Sequence, residues 1–166
     1  MNAPRATRYL FVCTANINRS PMAAAWAERL LAEHLVVSEV RSAGTHAWVG
    51  GEAAAYAVDA MRELGFDLRP HRSQPLDRRL LDWADYVVVM EPLHEAIAGA
   101  MLAEAPTGSE GRAQVEGLWP HLAGGESEVP DPQGRDLPDY RRSAQSIGLA
   151  VGRLVDLYLV ALRGNS

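Results

Sequence analysis

Cys13 and Arg19 bracket five residues, Thr14-Ala15-Asn16-Ile17-Asn18, and Ser20-Pro21 follow at once. A thiolate is a nucleophile, and a guanidinium is a planar fork that holds two phosphoryl oxygens together. At the two ends of one short loop they let the backbone close around an anion. A loop curling into a helix N-terminus adds N–H donors and the positive end of the helix dipole, a field that also favours thiolate over thiol. The spacing points to phosphoryl chemistry on sulfur. A lone cysteine can equally be a buried apolar residue, so the context must decide. Far along the chain, Asp131 stands between Pro130 and Pro132. Fixed proline φ angles make this a stiff arm able to hold a carboxyl over a pocket. The same tetrapeptide also reads as a surface turn with a solvated Asp.

The elements that would position these groups alternate between strand and helix. Tyr9 to Val12 is a short apolar run of the kind found in buried parallel strands, and it leads directly into Cys13. Ser20 as N-cap and Pro21 at the first helical position predict a helix onset there, continued by Met22 to Leu35. Val36 to Ser42 reads as a second strand, ended by Ala43-Gly44-Thr45, with a loop over His46 to Glu52 that carries Trp48. Ala53 to Leu64 is a predicted helix closed by Gly65. Pro70 to Pro75 is predicted loop and Leu76 to Trp83 a short helix. Tyr86 to Met90, β-branched and uncharged, is the clearest buried strand, and Pro92 to Leu102 is the next helix. Thr107 to Gly111 is a predicted surface turn. Leu137 to Arg163 is a long helix in which Ile147, Val151, Leu154, Tyr158 and Leu162 form one apolar stripe. This order predicts a single doubly wound parallel α/β sheet, flavodoxin-like, of about four strands with helices on both faces. Ligands in such folds sit beyond the carboxyl ends of the strands, where Cys13 lies. Residues 1–7 are expected as a flexible N-terminus and residues 8–166 as one domain.

The run Phe11-Val12-Cys13-Thr14-Ala15-Asn16-Ile17-Asn18-Arg19-Ser20-Pro21-Met22-Ala23 resembles the phosphate-loop signature of the low-molecular-weight protein tyrosine phosphatases. Ser42-Ala43-Gly44-Thr45 with Trp48, Val88-Val89-Met90, and Val129-Pro130-Asp131-Pro132 match in order and spacing. The resemblance implies a hydrolase acting on tyrosine-phosphorylated protein or peptide, through a phosphocysteine on Cys13. Arg19 is then the phosphate clamp and Asp131 the general acid and base. It implies a phosphate-binding loop of Thr14, Ala15, Asn16, Ile17, Asn18 and Ser20, with no metal and no cofactor. Ser20 would stabilise the thiolate, although capping the helix explains a serine there too. Asn16, Ser42 and His71 would hold the loop in shape, and Asn tolerates the left-handed backbone a tight cradle needs. Trp48 is implied as the aromatic wall of the substrate slot, against the alternative of a loop aromatic tucked onto the core.

Three positions depart from that pattern. Ala15 stands where glycine is usual, which implies a less relaxed loop. Asn18 replaces a frequent second cysteine, so oxidation of Cys13 is expected to give a sulfenic acid rather than a disulfide. Gln133 replaces an aromatic, leaving Trp48 as the main wall. Ala15 and Gln133 keep a second reading in view, a phosphate- or phosphoprotein-binding module with weak or no turnover. Arsenate reductases share the loop but need further cysteines, and this chain has one. Dinucleotide binding is disfavoured, since no glycine lies between Cys13 and Arg19.

Composition narrows the remaining classes. The 166 residues suffice for one buried core, and 48% hydrophobic with 22% charged residues is ordinary for a globular domain. A single cysteine excludes a disulfide framework and suits a reducing cytoplasm. All 16 basic residues are Arg, so lysine Schiff-base chemistry is excluded. A net charge of -5 argues against nucleic-acid and anionic-membrane partners. No signal peptide and no stretch of transmembrane length is expected. Oligomeric state is left open.

Overall fold

The computed structural model describes residues 5–104 and 113–164. The surface turn expected over Thr107 to Gly111 lies outside the described residues, as do the first four residues of the expected flexible N-terminus. Four parallel strands, β1 (Thr7–Cys13), β2 (Ser38–Gly44), β3 (Tyr86–Val89) and β4 (Gln114–Gly117), form one sheet in the order β2-β1-β3-β4. Thr7 opens β1 and donates its N–H to Val37 O, so order reaches into the segment expected to be flexible. The helices are α1 (Arg19–Glu33), α2 (Ala55–Glu63), α3 (Arg78–Trp83), α4 (Pro92–Ala103) and α5 (Leu137–Gly164).

Alternation along β1 sends Tyr9, Phe11 and Cys13 to one face and Leu10 and Val12 to the other. The first set joins a core with α1, α2 and α5, the second a smaller core with α3 and α4. This is the expected two-faced α/β architecture. β4, with the sequence Gln-Val-Glu-Gly, has no apolar run to announce it and pairs only with β3 at the sheet edge.

The buried stripe of α5 holds through Tyr158 and Leu159 but does not reach Leu162, which keeps 42% of its surface exposed. By length and composition α5 is apolar enough to cross a bilayer, which departs from the sequence expectation. Its inward residues Ala144, Ile147, Val151 and Leu154 are spent in the core with α1 and α2, the pattern of a central helix in a globular domain. Close packing there depends on Gly148, whose added Cβ would lie 2.4 Å from Trp26 Cε2.

The strand order also fixes where the site must form. β1 sits between β2 and β3, and the chain leaves β1 for α1 on one face and β3 for α4 on the other. Their carboxyl ends open a crevice at this topological switch point. The loop after β1 and the start of α4 meet there.

Candidate active site

The loop from Thr14 to Asn18 has an unusual backbone. Among the described residues, the N–H groups of Thr14, Ala15, Asn16, Ile17 and Asn18 have no hydrogen-bond acceptor. Asn16 and Asn18 are buried and Thr14, Ala15 and Ile17 half-buried; N–H groups withdrawn from water are almost always paired, so a run of five is a candidate anion nest at the start of α1. Asn16 supplies the bend with a left-handed φ of 56°, whereas Ala15 keeps an ordinary negative φ. The alanine therefore imposes no left-handed strain.

Asn16 is fully buried and its hydrogen bonds lock the loop. Nδ2 donates to Ser20 Oγ at 2.8 Å and to Ser42 Oγ at 2.9 Å, and Oδ1 accepts from the Gln74 N–H at 3.0 Å. His71 Nε2 meets Asn16 O at 2.7 Å. Burial pushes the His71 pKa below the usual imidazole range, with the Asn16 carbonyl partly opposing it, so the ring is neutral and donates through Nε2–H. The three residues grouped on resemblance, Asn16, Ser42 and His71, are thus brought together. Gln74 completes the set, and nothing in a loop glutamine announced it.

Cys13 is buried, with 2% exposure, and its Sγ lies 2.9 Å from Ser20 Oγ. Ser20 accepts from Asn16, so its own proton is free to point at the sulfur, the nearest competing acceptor being Ala43 O at 3.4 Å. The serine is not the helix cap expected from its position before proline. The cap is Asn18, without a side-chain cap bond, and Ser20 is already inside α1 as its second residue. Its hydroxyl serves the sulfur and the loop.

Arg19 is also buried, at 3% exposure. Nη1 donates to Val129 O at 3.0 Å, while Nη2 faces Thr14 Oγ1 at 3.5 Å, Glu91 Oε1 at 3.2 Å and Asp131 Oδ2 at 3.4 Å. The guanidinium thus points along the loop, toward Asp131. The Asp131 side chain is 45% exposed. Trp48 is 85% exposed, which removes the alternative of a ring tucked onto the core. Its loop is tied to the cup by the Ala54 N–H on Ile17 O and the His46 N–H on Thr14 O.

Sequence reasoning missed Glu91 and His94. Glu91 Oε1 is a hub that meets Arg19 Nη2, Thr14 Oγ1 at 3.3 Å and His94 Nε2 at 2.9 Å. His94 has no exposed surface, and burial drives its pKa down to about 4 against the opposing pull of Glu91. The ring is neutral at pH 7. Its proton belongs on Nε2, toward Glu91, because Nδ1 is buried without a partner and an acceptor is better left alone than a donor. The available signal was positional: both residues follow β3 at the switch point.

These features make a candidate anion cup with a sulfur at its base. The sequence matches the family described as low molecular weight phosphotyrosine protein phosphatase over residues 8–162, and the chain belongs to that family of hydrolases. The protein-arginine-phosphatase of Geobacillus stearothermophilus is 33% identical over 149 residues, 90% of this chain and 94% of that protein. The low molecular weight protein-tyrosine-phosphatase Etp of Escherichia coli K12 is 32% identical over 145 residues, 87% and 85% of the two chains. A solved structure of YwlE arginine phosphatase, a Cys-to-Ser mutant with a phosphorylated active-site serine, superposes with a TM-score of 0.80 at 29% identity, covering 91% of this chain and 95% of its own.

Proposed function

We propose that residues 8–166 act as one phosphatase domain that hydrolyses phosphotyrosine in proteins through a phosphocysteine. The observation that carries this reading is the run of five unpaired amides between a buried sulfur and a buried guanidinium. The Cys13 thiolate attacks phosphorus, forming S–P as the P–O bond to the phenol breaks. Amides of Thr14 to Asn18 and the Arg19 fork take the charge on the equatorial oxygens. Protonated Asp131 gives its proton to the departing phenolate. Water then attacks phosphorus, Asp131 takes its proton, and the sulfur leaves as thiolate held by Ser20. The serine phosphorylated in the YwlE mutant supports a covalent intermediate of this kind. Asn16, Ser42 and His71 keep the cup in shape, and Trp48 flanks the substrate ring. A nucleophilic thiol without a disulfide partner is suited to the cytoplasm.

A second substrate, phosphoarginine, is favoured by the 33% identity to a protein-arginine-phosphatase. Its leaving guanidine would take the same proton from Asp131. The test is phosphate release from a phosphotyrosine peptide and a phosphoarginine peptide, for wild type and Cys13→Ser. Cys13-dependent release from the first and little from the second is the expected result. The reverse preference would install phosphoarginine, and binding of phosphate with no release from either would leave only a binding module.

A further inference from the structure

Two of the three residues that depart from the family pattern touch each other. Asn18 Nδ2 donates to Gln133 Oε1 at 2.7 Å, across 115 positions of sequence. Asn18 is 4% exposed and its Oδ1 is buried without a partner, while its side chain also neighbours the Tyr140 hydroxyl. Gln133 in turn donates its backbone N–H to Asp131 Oδ1 at 3.1 Å. Pro132 has no N–H, which makes Gln133 the first residue after Asp131 able to orient that carboxyl in this way. The other carboxyl oxygen faces Arg19.

We infer that Asn18 and Gln133 form a latch that seats the Asp131 arm on the phosphate loop, so that both are positioning residues for the proton donor. This rests on the phosphatase reading. Without the latch, Gln133 is free to turn and Asp131 loses the fixed direction of one oxygen. The attack by sulfur is untouched, whereas proton delivery to the leaving group weakens. The defect therefore grows with the leaving group's need for a proton.

The measurement is kcat/KM for phenyl phosphate and for 4-nitrophenyl phosphate, in wild type, Asn18→Ala, Gln133→Leu, the double variant and Gln133→Glu. General-acid catalysis contributes about 10²–10⁴-fold, so a loosened acid should lower the phenyl phosphate rate roughly tenfold, and the nitrophenyl rate about fivefold less than that. The double variant should match the worse single to within about twofold, because both break one contact. Gln133→Glu keeps the acceptor and should keep the wild-type ratio of the two esters. Gln133 is exposed, so its variants test the latch even where Asn18→Ala folds poorly. Equal losses on both esters, losses that multiply in the double variant, or a Glu variant that behaves as Leu would each overturn the latch. A wild type with no Cys13-dependent release from either ester would overturn the phosphatase reading itself, which the variant ratios cannot do.

Discussion

Replacing Gly44 with alanine adds one methyl group where the end of β2 passes under the phosphate loop. The added Cβ would lie 2.4 Å from Thr14 O, 2.8 Å from Ala47 Cβ and 3.0 Å from Asn16 N. Ordinary contact begins at 3.4 Å, so the loop backbone must move by about 1 Å. Little there can yield. Thr14 O already accepts from the His46 N–H at 2.8 Å, and Gly44 is pinned by its N–H on Gln74 O and its carbonyl under the Leu76 N–H. Overpacking of this sort costs roughly 1–3 kcal/mol of stability, and about 1 Å of misplacement at a reacting centre lowers rate by roughly 10²-fold. The expected result is a folded protein with a modestly lower Tm and kcat/KM on an aryl phosphate reduced by about two orders of magnitude. Gly99→Ala is the control. It lies in α4 with nothing within 4 Å of the new methyl, and should add about 0.5–1 kcal/mol of stability without changing rate. If Gly44→Ala kept its rate within about threefold, amide positions in the cup would not carry the catalysis, and the catalytic role assigned to the phosphate loop would fail.

Asp131→Asn should lower kcat/KM about 10²-fold or more for phenyl phosphate and distinctly less for 4-nitrophenyl phosphate; equal losses would remove Asp131 from the acid role. His94 ties stability to pH, because its folded pKa of about 4 lies below the 6.5 of an exposed imidazole. Above pH 6.5 neither state is protonated there, and between 6.5 and 4 only the unfolded chain takes the proton, so stability falls as pH falls through that window. The residue should contribute a loss of about 2 kcal/mol between pH 7.5 and pH 5. Urea melts of wild type and His94→Gln at the two pH values check this, and an unchanged slope in the variant would assign the effect elsewhere. Gly148→Ala drives a methyl onto the Trp26 ring at 2.4 Å and should destabilise by about 1–3 kcal/mol, read as a lower Tm; a neutral result would mean that α1 and α5 slide apart freely.

Much of this protein could be read from local chemistry. Apolar runs at Tyr9 to Val12 and Tyr86 to Met90 named two central strands, because strands buried on both faces are apolar throughout. Gly65 closes α2 with a φ of 83° as a helix-ending glycine should. β4 escaped notice because an edge strand needs apolar residues only where it touches the core, and four residues leave no periodicity to detect. Ser20 read as a cap, since Ser before Pro usually is one. The loop that bends at Asn16 instead enters the helix at Arg19, ahead of the expected onset, and turns the Ser20 hydroxyl inward to the sulfur.

The sequence by itself determined the cup, because Cys13, the five amides and Arg19 are consecutive and one strand-to-helix turn brings them together. It also carried the stiffness of the Asp131 arm, which proline geometry dictates locally. Only the tertiary structure decided what holds these parts in register. Glu91 and His94 reach Thr14 and Arg19 because β3 lies beside β1, and Asn18 reaches Gln133 across 115 residues because the chain returns over the sheet's carboxyl edge. Contacts between distant segments depend on strand order and helix placement, which no local pattern of residue types encodes.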